Sequence, residues 1–191
     1  MKRKSFFSWL INPFTYLAGG KALCIGLFIQ LLSVFLGNMS GTHFDGAIDV
    51  HLGAKMTLLQ DLLMWVVSVT FLVMTLYISG LILTKNFRFI DLFGTVLIAR
   101  TPFLILAIVA FFVEIPSLAI IMADPFAILS SVPFLVFIIL SLPLLVWHIC
   151  LLYHAYKVSV GLPTNKAVVG LILAIVAAEI LSKTLIINLI K

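Results

Sequence analysis

The sequence predicts an all-α membrane protein, a bundle of five transmembrane helices that forms a single membrane domain over residues 1–191. Hydrophobic residues make up 63% of the chain and charged residues 10%, whereas soluble domains are about 45–50% apolar and about 25% charged. Apolar runs of about 20 residues recur, each long enough at about 1.5 Å per residue to cross a hydrocarbon core about 30 Å thick. The lipid bilayer is therefore the main partner. The net charge of +5 does not indicate nucleic acid, because the basic residues are dispersed among apolar segments.

The N-terminal segment, residues 1–21, is predicted to lie flat at the membrane interface. A basic leader is followed by aromatic residues, whose rings bury their faces while their polar edges stay hydrated. Asn12-Pro13 and Lys21 interrupt the apolar run that a signal peptide requires, so cleavage is not expected.

The five spans are predicted over residues 22–37, 62–83, 89–113, 126–152 and 167–187. The first span is short, and snorkelling of Lys21 extends it. The third span contains Arg100 and Pro102. The fourth contains Pro133 and Pro143, which remove backbone donors and predict a bent helix that its neighbours accommodate.

The charged residues predict the orientation of the five spans. One side of the membrane receives seven basic residues, which are Lys2, Arg3, Lys4, Lys85, Arg88, Lys157 and Lys166. The other side receives two basic residues and five acids, which are Lys55, Lys191, Asp45, Asp49, Asp61, Glu114 and Asp124. By the positive-inside rule, the N-terminus is cytoplasmic and the C-terminus lies outside.

Four diffuse sequence features resemble those of the Yip-one family, the Yip or Rab-interacting-factor-like multi-pass membrane proteins. They are Asn12-Pro13, Arg88-x-x-Asp91-x-x-Gly94, Ala99-Arg100-Thr101-Pro102 and the segment of residues 147–166. The resemblance covers nearly the whole chain, and it implies a five-helix bundle with a cytoplasmic N-terminus. In eukaryotes it implies Golgi or endoplasmic-reticulum membranes, vesicle traffic and Rab-type GTPase partners.

The chain also departs from the eukaryotic pattern of that family. It lacks a long cytoplasmic N-terminal region and an Asp-Leu-Tyr-Gly-Pro motif, and Asn12-Pro13-Phe14 stands near the place of that motif. Rab binding is therefore not expected. A bacterial-type member in the cell (inner) membrane is the better match.

Arg100 and Glu179 are the most informative polar positions. A guanidinium near the bilayer centre costs at least about 2.5–3.5 kcal/mol unless it meets a partner or water. Arg100 lies about eleven residues into the third span and Glu179 about twelve into the fifth, which places both about 16–18 Å deep. We expect an Arg100–Glu179 ion pair, with Lys183 as a second partner of the carboxylate. The pair is either a structural clamp or a charged centre lining a hydrated path.

His43, Asp45, Asp49 and His51 form a symmetric set of ligand-type side chains in the loop after the first span. Two histidines and two carboxylates could hold zinc if Gly46 turned the two segments toward each other. The spacing is not a recognised zinc pattern, and a solvated loop is the alternative. No other metal and no cofactor is expected.

The functional expectation is a non-catalytic protein of Yip-one type. Only two glutamates are present and no Gly-rich phosphate loop occurs, so signatures of membrane enzymes are missing. We expect the chain to associate with other membrane components, in membrane organisation or trafficking. The alternative is a small transporter or channel subunit that uses Arg100 and Glu179, because intramembrane charges and broken helices mark conduction paths.

Overall fold

The structure is a computed structural model that describes residues 6–53, 55–84, 86–113, 122, 124, 126 and 131–189. Within these residues, five helical segments are long and apolar enough to cross a membrane. The predicted all-α bundle of an integral membrane protein is therefore confirmed. The compartment that each terminus faces stays a prediction. Part of the charge pattern behind it, namely Lys2, Arg3, Lys4, Lys85, Glu114 and Lys191, lies outside the described residues.

Seven α-helices and one short hairpin make up the described chain. The helices are α1 (Phe6–Ile11), α2 (Gly19–Ser40), α3 (Leu58–Leu83), α4 (Phe89–Ala99), α5 (Thr101–Ala110), α6 (Val132–Val160) and α7 (Thr164–Leu189), and a 3-10 turn at Pro13–Thr15 follows α1. The first, second, fourth and fifth spans are α2, α3, α6 and α7, and α4 and α5 together form the third. Most of the predicted connector over residues 114–125 lies outside the described residues.

The α4–α5 span occupies the centre of the bundle. In its most apolar stretch 67% of the residues are buried, against at most 33% in the other four spans. Two glycines allow α2 to approach α4 closely. A Cβ on Gly26 would lie 2.6 Å from the Cβ of Leu97, and one on Gly94 would lie 2.6 Å from the backbone nitrogen of Leu23. Since real Cβ atoms cannot come that close, larger residues would push the two helices apart.

The third span breaks at Arg100, between α4 and α5. Pro102 has no N–H, so it cannot donate the helical bond to Ile98, and the Thr101 hydroxyl donates to that carbonyl instead at 2.5 Å. The N–H of Phe103 donates to the Arg100 carbonyl at 3.0 Å. The break therefore leaves the Ala99 carbonyl available to a side chain from another helix.

A short antiparallel hairpin follows α2. Strands β1 (Thr42–His43) and β2 (His51–Leu52) pair with His43 opposite His51. Gly41 ends α2 in the left-handed conformation with φ of 73°, and Thr57 begins α3 with a capping box. The hairpin tip, residues 44–50, then enters the helix bundle. Its Ala47 is fully buried, and the Phe44 ring stacks on Phe103 with centroids 5.6 Å apart.

The N-terminal segment is docked against α6. The indole nitrogen of Trp147 donates to the Leu10 carbonyl at 3.1 Å, and Phe14 is buried. The position of this segment relative to the membrane surface stays a prediction, and its basic leader lies outside the described residues.

The fourth span, α6, ends later than the sequence predicts. It continues to Val160, where Gly161 terminates it with φ of 71°. The polar-aromatic end of the span stays helical because Tyr156 is fully buried and donates to the Ser79 hydroxyl at 2.9 Å. Pro133 falls in the first turn of α6, where no N–H is needed, so only Pro143 lies inside this helix.

Candidate functional site

Three polar side chains from three different spans surround the hairpin tip, and we call them the tip clamp. They are Arg100 at the α4–α5 break, His148 on α6 and Glu179 on α7. Arg100 and His148 are completely buried. The clamp therefore lies inside the bundle and contacts the protein's own loop.

Arg100 binds the hairpin tip through backbone carbonyls. Its Nη1 donates to the Ala47 carbonyl at 2.8 Å and to the Gly46 carbonyl at 3.3 Å, and its Nη2 donates to the Gly46 carbonyl at 3.3 Å. The guanidinium carbon lies 4.7 Å from the centre of the Phe103 ring. These hydrogen bonds and the ring face offset part of the free energy that burial of the charge costs.

Glu179 binds the same peptide group from the other side. Its Oε1 accepts the N–H of Ile48 at 2.8 Å, and the carbonyl of that peptide group is the Ala47 oxygen that Arg100 binds. The positive side chain meets the negative end of the peptide dipole, and the negative side chain meets the positive end. The Ala47–Ile48 peptide group is therefore held between two opposite charges.

This arrangement corrects the predicted direct ion pair. Within the described residues, none of the ion pairs joins Arg100 to Glu179, although the two charges are close enough to attract each other. Both side chains lie beside one loop, and a peptide group of that loop binds each of them. Lys183 pairs with Asp49, and none of the ion pairs among the described residues joins it to Glu179, although the two charges attract each other.

His148 connects the hairpin tip to the break in the third span. Its Nδ1 lies 2.8 Å from the Ala99 carbonyl that the break leaves available, and its Nε2 lies 3.3 Å from the Ala47 carbonyl. Both partners are acceptors and a neutral imidazole has one N–H, so we assign the proton to Nδ1, where the distance is shorter. The Phe103 ring packs against the imidazole at 4.5 Å.

Gly46 is required where the tip passes Glu179. A Cβ at this position would lie 2.6 Å from Glu179 Oε2 and 2.6 Å from the Cβ of Asp49. A side chain would have to displace the carboxylate that holds the Ile48 N–H. The glycine thus allows the backbone to reach the clamp.

Two polar atoms of the clamp have no hydrogen-bond partner among the described residues. They are Nε of Arg100 and Oε2 of Glu179, and both atoms are buried. Such groups are uncommon in protein interiors because each costs about 1–3 kcal/mol. They leave the clamp with unused capacity to bind a polar group.

A second charged cluster lies where the two ends of the tip meet β2 and α7, and we call it the hairpin mouth. It consists of Asp45, Asp49, His51 and Lys183. His51 Nδ1 lies 2.8 Å from Asp45 Oδ1, its Nε2 lies 3.6 Å from Asp49 Oδ2, and Lys183 donates to Asp49. Burial acts to raise the pKa of Asp49, but the hydrogen bond from Lys183 and the charges of His51 and Lys183 lower it below its ordinary value.

The predicted zinc ligands are only partly brought together. Asp45, Asp49 and His51 have ligand atoms within 4.8 Å of one another. His43 instead turns inward, where its Nδ1 lies 2.7 Å from Asp61 Oδ1. The imidazole of His51 lies between two carboxylates and Lys183 binds one of them, so these side chains already serve as partners for each other.

Polar residues outside the predicted sites anchor the base of the hairpin. Asn38 donates to Asp61 Oδ2 at 2.7 Å and to the Met56 carbonyl at 2.9 Å, and Asp61 also holds His43. Asp61 is buried in the first turn of α3, where the helix dipole favours a negative charge. Asp61, an acid in the first turn of an apolar helix, is the one feature of the sequence that could have indicated this anchor.

The geometry of the clamp can fasten a loop, because Arg100 and Glu179 both bind the backbone of the tip. No family model, curated protein or solved structure matches the chain.

Proposed function

We propose that this chain is a non-catalytic multi-pass protein of Yip-one type that acts by association with other membrane components, in membrane organisation or trafficking. The observation that carries the proposal is the use of the intramembrane charges. Arg100 and Glu179 bind the backbone of the chain's own hairpin tip, and His148 packs beside it against the break in the third span. The charges that would otherwise suggest chemistry or transport thus support a structural role.

The first half of α6 supports association with other membrane proteins. Between residues 132 and 146 only Phe137 is buried. Ile139, Leu142 and Val146 are 66%, 60% and 67% exposed. This surface is suited to lipid chains or to a helix of another membrane protein, because both are apolar and neither requires polar contacts.

Site-specific photocrosslinking tests this proposal in intact membranes. A photoreactive amino acid replaces Leu142 in one variant and Phe28, an equally lipid-accessible residue on α2, in the control. We expect reproducible protein adducts from position 142 and fewer from position 28. Lipid adducts alone at both positions would contradict association through α6.

We further propose the orientation that the charges predict, with the N-terminus in the cytoplasm and the hairpin mouth outside. For a bacterial-type member the membrane is the cell (inner) membrane, and a Rab-type GTPase is not a partner. Reporter fusions at the two termini should report opposite sides. Two termini on the same side would contradict this topology.

The second candidate function is a small transporter or channel subunit. It is favoured by the break in the third span at Arg100 and by the unpaired Arg100 Nε and Glu179 Oε2 atoms. Flux of ions or small solutes through the protein in liposomes would support it, provided that Arg100→Leu abolishes the flux. Equal leakage from protein-containing and empty liposomes would leave association as the function.

A further inference from the structure

A groove runs along the lipid-facing surface between α3 and α7, away from the hairpin. Its volume is about 380 Å³ and its lining includes Thr75, Ser79, Ile82, Gly170, Leu173 and Ala177. The two hydroxyls in this lining are already used, since Thr75 donates to Phe71 at 2.9 Å and Ser79 donates to Gly170 at 3.2 Å. The groove therefore offers an apolar surface.

Small residues on α7 create the depression. A Cβ at Gly170 would lie 2.7 Å from a methyl carbon of Leu83 and 2.9 Å from the Ser79 hydroxyl, so α3 and α7 are in close contact there. Ala174 and Ala177 continue the lining along the same helix. The close contact forms the floor of the groove, and the larger side chains on either side form its walls.

The length of the groove matches one leaflet of a bilayer. The lining runs from Thr75 to Leu83 on α3 and from Val169 to Ala177 on α7, which is about 12 Å of helix at 1.5 Å per residue. One leaflet contributes about half of a hydrocarbon core about 30 Å thick. A transmembrane helix of a partner would need a surface that crosses both leaflets, whereas an acyl chain needs only one.

Lys166 lies beyond the end of this groove that is farther from the hairpin. It lies three and four residues before Val169 and Gly170, so it shares their face of α7. Lys166 is exposed, and it makes no ion pair within the part of the chain that the structure describes. Lys166 therefore lies within one turn of the lining and is available to the headgroup of a lipid seated in the groove.

We propose that the groove is a binding site for one anionic phospholipid, with an acyl chain along α3 and α7 and the headgroup phosphate at Lys166. The apolar lining suits an acyl chain, and a groove that spans one leaflet is long enough for a lipid but too short for a transmembrane helix. Lys166 attracts the negative charge of the headgroup. This site is independent of the α6 surface proposed for protein association.

Native mass spectrometry of the full chain, released from nanodiscs of equal phosphatidylglycerol and phosphatidylcholine, tests the proposal. We expect one phosphatidylglycerol to be retained in preference to phosphatidylcholine. Lys166→Gln should reduce this preference about five-fold, whereas Lys21→Gln, which removes an exposed lysine from α2, should leave it unchanged.

A second variant fills the groove. Ala177→Phe places a ring in the lining and should abolish retention of the lipid, while Ile172→Phe, on an exposed position of α7 outside the lining, should not. Equal retention of the two lipids by the native chain, or retention unaffected by both Lys166→Gln and Ala177→Phe, would overturn the proposal. Neither result would bear on crosslinking through α6.

Discussion

The tip and the mouth of the hairpin are both held by charged side chains, yet their surroundings differ. At the tip, Arg100 is completely buried and binds backbone carbonyls. At the mouth, the Lys183 and Asp49 side chains are 43% and 31% exposed and bind each other. Water can replace the contacts at the mouth, but it has limited access to those at the tip.

This difference sets the expected energies of the two regions. A solvent-exposed ion pair contributes about 0.2–1 kcal/mol, since water screens it. A buried carbonyl that loses its only donor costs about 1–3 kcal/mol. The hairpin should therefore stay docked when its mouth is altered and should undock when the clamp at its tip is altered.

Arg100→Leu should have the largest effect on hairpin docking. The Gly46 and Ala47 carbonyls lose their Arg100 donors, so docking should weaken by about 2–3 kcal/mol, or roughly 30–160-fold. Hydrogen exchange of the amides in residues 44–50 should accelerate accordingly. Arg88→Leu is the control, because the Arg88 side chain is 78% exposed. Equal exchange in the two variants would contradict the role of Arg100.

Gly46→Ala tests the same region by a steric change, without altering any charge. Its Cβ would overlap with the Glu179 carboxylate, so the Ile48 N–H should lose its acceptor and exchange faster by about ten-fold or more. Gly20→Ala is the control, because a Cβ there has no neighbour within 4 Å. A protected Ile48 amide in Gly46→Ala would show that the tip does not pass Glu179.

Glu179→Gln should have an intermediate effect. The amide oxygen of glutamine can still accept the Ile48 N–H, but the negative charge near Arg100 is lost. We expect docking to weaken by about 1 kcal/mol, measured by exchange of the Ile48 amide. Glu179→Ala removes the acceptor and should weaken docking more. If the two substitutions are equivalent, the hydrogen bond to Ile48 is not made.

Lys183→Ala should have the smallest effect, because it alters only the mouth. The ion pair with Asp49 is partly exposed, so the loss should not exceed about 1 kcal/mol. Thermal unfolding of Lys183→Ala, Asp49→Asn and the double variant measures it, and the double variant should be no less stable than either single one. Additive losses would show that the two residues act separately.

Acid should remove the same contribution from the mouth. The pKa of Asp49 is lowered in the folded protein, so its stabilising contribution is present above the ordinary value of 3.8 and is lost as the pH falls through the lowered folded value. The difference in stability between the native chain and Asp49→Asn should therefore vanish at low pH. If the difference in stability persists at a pH below the lowered pKa of Asp49, another contact is responsible for it.

The five spans could be predicted from hydropathy, because each helix in lipid must be apolar and must satisfy its own backbone hydrogen bonds. The sequence places Arg100 and Pro102 inside one continuous third span, and it predicts neither the break at Arg100 nor the peptide group that Arg100 and Glu179 share. The position of the hairpin tip inside the bundle could not be predicted from the sequence. Its position depends on hydrogen bonds between loop backbone and side chains more than fifty residues away, and neither apolar periodicity nor charge counting detects such contacts.

The symmetric ligand-type residues around Gly46 lie on a hairpin, whose arms meet with His43 opposite His51. Their chemistry could not be read from spacing. His43 and His51 pair in the strands but face different surroundings, the first a buried Asp61 and the second two partly exposed aspartates. The two histidines differ in how deeply their side chains are buried, and this depends on the three-dimensional structure.

Hydrogen–deuterium exchange of the native chain in nanodiscs tests the docking of the hairpin tip most directly. Peptides that cover residues 44–50 should exchange at least about ten-fold more slowly than an unprotected loop, because the clamp shields the tip and Glu179 holds the Ile48 N–H. Exchange of this segment at the rate of an unprotected loop would show that the tip lies outside the bundle and that Arg100 has another partner.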